Sequence, residues 1–278
     1  MTGMPAAASN RRSTAGASGA EADRTKRTRP AGGTSAGLRF VRSASAPLPR
    51  AALTAFETAL GVPVVETYGM TEAASMITAN PVDGMRKPGS AGRPAGTEVR
   101  VLGAARGGAA DRAAEGPLPA GETGRVQIRG AGVIRAYDSG GRAGAIDADG
   151  WLDTGDLGYL DADGYLFLAG RSDDVINRGG EKIYPREIEE VLLAQPGVRS
   201  AAVVGVPDDV LGERPVAYIV ASSETAPGDL EAGLRAACTT LLPRPKQPSE
   251  FRLVDELPLG ATGKISRRLL RDLVTTQS

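Results

Sequence analysis

The chain contains no histidine, so any chemistry it does must use carboxylates, lysine, arginine, tyrosine, hydroxyls and backbone amides. That excludes Ser-His-Asp hydrolysis, histidine general-base catalysis and His-based zinc sites. Four short stretches gather the groups that remain. In Glu66-Thr67-Tyr68-Gly69-Met70-Thr71-Glu72, a ring, a glycine, a hydroxyl and a carboxylate follow an apolar strand. Ligand crevices form where parallel strands end. The Tyr68 ring suits stacking on a base, the Thr71 hydroxyl a phosphate, and Glu72 a Mg²⁺ ion. A strand running into a helix capped by Thr71 would use the same residues.

In Trp151-Leu152-Asp153-Thr154-Gly155-Asp156, a carboxylate on a tight turn is placed to take both ribose hydroxyls, although such turns also arise for local reasons. Arg171 suits a ribose or phosphate contact, or a solvated edge. Gly179 and Gly180, within Asn177-Arg178-Gly179-Gly180-Glu181-Lys182, let a backbone approach a thin ligand arm, or make an ordinary β-turn. Lys264 follows Gly263 on a loop near the end, where a mobile ammonium can meet a phosphate-bearing transition state or simply sit in water.

These groups need elements to position them. Leu38–Arg42 reads as a strand, Arg50–Leu60 as a helix stopped by Gly61, and Val62–Glu66 as a second strand. From about Thr97 to Gly170 short β segments alternate with Gly, Pro and Asp, and Asp156–Gly170 forms a hairpin around Asp163-Gly164. Beyond Arg171, Pro185–Gln195 is helical, with Pro185 in its first turn and Ile188, Val191 and Leu192 on one face. Strands follow at Val198–Val206, Pro215–Ala221 and Phe251–Val254, and helices at Leu230–Leu241 and Ile265–Val274. The boundary falls near Ser172-Asp173, which leaves about 100 residues for a carboxyl-terminal domain.

At 278 residues the chain is long enough for one or two domains. The hydrophobic share is 41% and no apolar run is long enough to cross a bilayer, so a soluble protein is expected. The single cysteine, Cys238, excludes a disulfide framework. Net charge is zero, yet residues 1 to 37 carry six basic and two acidic side chains among Ala, Ser, Gly and Thr. That stretch is expected to be a disordered leader rather than a targeting segment or a nucleic-acid-binding arm.

The residues taken together resemble the superfamily of acyl-CoA synthetases, peptide-synthetase adenylation domains and luciferases, the ANL adenylate-forming enzymes. The matching motifs run in family order over about residues 38 to 275. They are Ser45-Ala46-Pro47, Tyr68–Glu72, Gly124–Gly130, Thr154–Asp156, Gly170-Arg171-Ser172-Asp173-Asp174, Gly179–Glu189 and Gly263-Lys264. Arg39–Ser43, Met70–Glu72 followed by Asn80-Pro81, and Ile176–Ile183 look most like the oxalate- and small-acid-CoA ligase branch.

The resemblance implies an α/β and α+β architecture. Residues 38–172 would form the carboxyl-terminal portion of the large AMP-binding domain, a sheet remnant plus a β-rich subdomain. Residues 173–278 would form the small α+β domain. It implies a carboxylic acid, ATP, Mg²⁺ and coenzyme A, an acyl-adenylate, and a cytoplasmic location. By matching positions, Ser45, Ala46 and Pro47 border the adenine, Tyr68 stacks on it, Thr71 contacts the α-phosphate and Glu72 ligates Mg²⁺. Asp156 holds the ribose with Arg171 nearby, Asp173 is the hinge, and Gly179 and Gly180 line the pantetheine path. Lys264 stabilises the adenylation transition state. Glu66, Thr67, Gly69, Met70 and Lys182 are counted as cofactor-binding. The family's Ser/Thr/Gly-rich phosphate loop, ending in Pro-Lys-Gly, should lie upstream, and residues 1 to 37 contain none. A truncated member with little adenylation activity of its own is expected. A non-catalytic AMP- or CoA-binding remnant and a peptide-synthetase adenylation fragment are the alternatives.

Overall fold

A computed structural model describes residues 37–46, 48–103, 116–137, 146–222 and 227–275. Pro47 and the expected leader, Gly37 apart, lie outside the described residues. The chain makes three sheets. The first runs β1 (Val41–Ser43), β2 (Val64–Tyr68), β3 (Thr78–Ala79) and β4 (Arg93–Pro94) in that order, with β1 and β2 parallel. Helix α1 (Arg50–Leu60) makes the crossover between β1 and β2. It ends where Gly61 takes φ 64 and returns its amide to the Glu57 carbonyl, since an αL stop suits a residue without Cβ. Strand β1 starts three residues later than the sequence suggests. Its pairing begins with the Val41 amide on the Pro63 carbonyl, and Leu38 and Phe40 are exposed.

The second sheet is an antiparallel meander, β5 (Glu98–Leu102), β6 (Gly124–Arg129), β7 (Leu152–Leu160) and β8 (Leu166–Arg171), so β8 is an edge. The hairpin expected around Asp163-Gly164 is the β7–β8 connection. The Asp161 carboxylate accepts the amides of Asp163 and Tyr165 there, and Gly164 takes φ 77.

After a 3₁₀ turn at Ser172–Asp174, every further strand joins a third sheet. Strands β9 (Ile176–Arg178), β10 (Glu181–Ile183), β11 (Val198–Asp208), β12 (Gly212–Ala221) and β13 (Glu250–Leu253) carry helices on both faces. Side chains alternate along β11 and β12. Ala201, Val203, Ala217 and Ile219 pack with α2 (Pro185–Leu193) and α3 (Pro227–Leu241). Ala202, Val204, Val216 and Tyr218 pack with Leu270 of α4 (Arg267–Thr275). Pro185 occupies the first turn of α2, where a missing amide costs nothing. Ile188 and Leu192 are fully buried, each contributing about 1.5 to 3 kcal/mol by leaving water.

Of the two readings of Asn177–Lys182, the structure takes the β-turn: the stretch is the β9–β10 hairpin, with Arg178 opposite Glu181. Gly179 (φ 59) and Gly180 (φ 88) supply the two positive φ values that a tight two-residue turn demands.

Candidate functional site

Because β1 and β2 are parallel with Ser43 opposite Glu66, the segments that follow them, Ser45-Ala46 and Gly69–Glu72, leave the sheet at the same edge. Unusual backbone occurs in the first and just after the second. Ser45 (φ 74), Ala74 (φ 48) and Ser75 (φ 83) occupy the left-handed region, which costs a residue with Cβ about 1 to 3 kcal/mol. Gly69 is there because nothing larger fits, for a Cβ would stand 1.6 Å from the Ser75 carbonyl oxygen. Backbone, not a ligand, dictates that glycine. Gly69→Ala should therefore destabilise the chain by about 3 kcal/mol, the upper end for overpacking. Urea denaturation checks it, and a loss below about 1 kcal/mol would refute the packing argument.

Thr71–Ala73 forms a single 3₁₀ turn. Its capping position is Met70, with no side-chain cap, so the helix cap proposed for Thr71 is not formed and its side chain is exposed. Glu72 is half-buried. Its carbonyl accepts the Ile134 amide, and its Oε1 accepts the Tyr137 hydroxyl at 3.2 Å. Tyr137 belongs to no motif, and nothing in the sequence marks it. Mg²⁺ usually takes one or two carboxylates and fills the rest of its sphere with phosphate and water. Glu72, a single hard oxygen donor at this edge, fits that pattern. No cluster of three metal-ligating side chains exists among the described residues.

The strongest convergence lies across the two sheets. The Tyr68 hydroxyl donates to Asp156 Oδ2 at 2.5 Å, and Arg171 Nη1 donates to Asp156 Oδ1 at 3.2 Å and to the Thr154 carbonyl at 3.3 Å. Thr154, fully buried, bonds the Val126 carbonyl and accepts the Asp156 amide; Asp156 thus lies not on the expected tight turn but inside β7, at an irregularity where the pairing with β6 shifts register between Arg125 and Gln127. A carboxylate has about four lone-pair sites, so two partners leave Asp156 room for a diol. Burial raises the Asp156 pKa above the ordinary carboxylate range, opposed by the Tyr68 bond, by Arg171 and by the charge of Lys264. Lys264 itself stands on a short exposed loop, where the Gly260 amide bonds the Lys264 carbonyl at 2.7 Å. Burial and the neighbouring Asp156 push the Tyr68 phenol well above its ordinary value, so it remains a donor.

A group whose folded pKa is raised binds its proton more tightly in the fold than in the unfolded chain. Its contribution to stability therefore falls as pH rises from the ordinary carboxylate value through the raised one. Asp156→Asn should flatten part of the stability decline that wild type shows over that window. Urea midpoints across the acid range check this, and parallel pH profiles would contradict it.

The other expected residues lie elsewhere. Thr67 bonds Arg42 and the Ser43 carbonyl, within the sheet. Glu66 is buried, accepts the Gly89 amide at 3.1 Å, and has its pKa raised by burial against the lowering effect of that bond, Arg186 and Arg50. Met70 packs against the core around Ile77 and Leu152. The Gly179 amide bonds the Leu211 carbonyl, and Lys182 is exposed. Asp173 lies in the 3₁₀ turn that Ser172 ties to the Gly155 carbonyl.

Comparison with known proteins adds the family. The AMP-binding enzyme family matches residues 1–138 and the AMP-binding enzyme C-terminal domain matches residues 187–264. Sulfoacetate–CoA ligase of Cupriavidus necator is 48% identical over 241 residues, which is 86% of this chain and 45% of the relative. Oxalate–CoA ligase of Arabidopsis thaliana is 40% identical over 236 residues, 84% of this chain and 44% of the relative. MatB from Rhodopseudomonas palustris with ATP bound superposes with a TM-score of 0.76 at 33% identity, covering 84% of this chain and 45% of MatB, and apo MatB with 0.65. The chain spans a little under half the length of the relatives it matches. The motif order, the cluster at the strand ends and the two family matches agree: the chain belongs to the AMP-binding enzymes, the ANL superfamily of adenylate-forming proteins.

Proposed function

We propose that this chain is the carboxyl-terminal portion of an acid–thiol ligase that activates a small carboxylic acid with ATP and transfers it to coenzyme A. In the first step a carboxylate oxygen attacks the α-phosphorus and pyrophosphate leaves. In the second the coenzyme A thiol attacks the acyl carbon and AMP leaves. The observation that carries this reading is the Tyr68–Asp156–Arg171 cluster, where the carboxyl end of β2, parallel to β1, meets the antiparallel strands β7 and β8.

In this reading Asp156 takes the ribose hydroxyls and Arg171 steadies it. Ser45 and Ala46, with Pro47, border the adenine beside the Tyr68 ring. Thr71, exposed and uncapped, offers its hydroxyl to the α-phosphate. Glu72, oriented by Tyr137, would hold Mg²⁺, which supplies charge neutralisation for the departing pyrophosphate. Lys264 adds a cation where negative charge grows. Residues 173–278 turn about Asp173 between the steps, and Gly179, Gly180 and Lys182 then line the coenzyme A arm. The acid is a small one of the sulfoacetate or oxalate kind, matching the substrates named for the two relatives. The reaction runs in the cytoplasm, where ATP and coenzyme A are supplied.

Acid-dependent ATP–pyrophosphate exchange tests the proposal, on the chain itself and on the chain fused behind the upstream half of the Cupriavidus ligase. The fusion should exchange with sulfoacetate, oxalate or malonate, and the chain by itself should not. A folded fusion without exchange on any small acid would favour the alternative of a binding remnant, and strong exchange by the chain alone would overturn the claim that it needs an upstream partner.

A further inference from the structure

We propose that Arg186 is a positioning residue, a pin that holds the segment after the Ser172–Asp174 turn, and with it the Lys264 loop, against strand β8. Arg186 stands in the first turn of α2, its side chain mostly buried. Its Nη1 donates to the Leu168 carbonyl at 2.8 Å, reaching back across the turn to β8. Strand β8 is the edge of its sheet, so its outward carbonyls need partners from elsewhere. The guanidinium also pairs with Glu190 Oε1 at 3.0 Å, and its positive charge bears on the buried Glu66 carboxylate of β2.

One helix links this contact to the lysine. On α2, Glu189 is three residues from Arg186 and therefore on a neighbouring part of the same face. Both Glu189 oxygens accept from Arg267 Nη2, at 2.8 and 2.9 Å. Arg267 begins α4, three residues beyond Lys264. Anchoring α2 on β8 thus anchors the Lys264 loop. A rotation about the turn that carried Lys264 away would break the Arg186–Leu168 bond and deprive Glu66 of a counter-charge. The inference rests on the proposed hinge at Asp173 and assigns Glu66 a part in holding that hinge.

The test requires neither ligand nor turnover, so it separates from the ligase reading. Spin labels at Glu122→Cys and Ala236→Cys, both exposed positions on opposite sides of the turn, report the distance between the two parts. Cys238 is buried and its thiol is pushed up to about 11 by that burial, so it stays unlabelled at neutral pH. The 278-residue chain should give one narrow distance. Arg186→Met keeps the aliphatic stem, removes the donor and charge, and should raise the displaced population about ten- to one-hundred-fold, as losing a charged hydrogen bond does. Glu66→Gln should shift it the same way by less, and serves if Arg186→Met fails to fold. A distribution superimposable on that of wild type in the folded variant, or a wild type already broad, would overturn the proposal.

Discussion

Lys264→Ala should lower acid-dependent ATP–pyrophosphate exchange of the fusion protein by about 100- to 1000-fold, the usual effect of removing one charge-stabilising group. The side chain is exposed on a loop held by backbone bonds, Gly260 amide to Lys264 carbonyl and Ser266 amide to Pro258 carbonyl. Truncating it should therefore leave stability within about 0.5 kcal/mol, as for an ordinary surface change. A loss of rate with folding intact isolates chemistry from structure. Lys264→Arg should recover little, because a planar fork does not replace a compact ammonium. Exchange rates at saturating acid, beside a urea curve, check both statements. Less than a tenfold loss would remove Lys264 from the adenylation step.

The second large effect concerns stability. Arg267 donates twice to Glu189 and once to Asp174 at 3.2 Å, and Glu189 also accepts the Val203 amide. Arg271 adds a bond to Asp174 at 3.1 Å. Burial works against the charge on Arg267, yet Glu189 and Asp174 outweigh it and hold the guanidinium above its ordinary pKa. Arg267→Met strands the Glu189 carboxylate in the interior and should cost about 3 to 5 kcal/mol. Arg267→Met with Glu189→Met should recover much of that, since both charges then leave together. Urea midpoints of the three chains decide it. A single-variant loss under about 1 kcal/mol would mean that water reaches Glu189 and that the network does not hold the turn.

Much of the fold was legible. Gly61 and Pro185 punctuate α1 and α2 by local stereochemistry, and the apolar runs Val198–Val206 and Pro215–Ala221 mark β11 and β12 as strands. Strands β9 and β10 were not legible. Each has three residues, and Asn177, Glu181 and Lys182 are polar and exposed, so no alternation marks them. The motifs named the site's members, but sequence distance hid their partners. Tyr68 and Asp156 are 88 residues apart, Tyr137 and Glu72 are 65 apart, and Arg267 reaches back 78 residues to Glu189. That Gly69 is required by the Ser75 carbonyl, which fills its Cβ space, could not be read from the sequence, because only the folded backbone brings the two together.

The central claim is that the Tyr68–Asp156–Arg171 cluster seats the nucleotide. Calorimetric titration of AMP into the 278-residue chain, wild type against Asp156→Asn, tests it most directly. The account predicts saturable binding weakened about 10- to 100-fold in the variant, the loss of charge-assisted bonds to a ribose diol. Equal affinity in two folded proteins would contradict it.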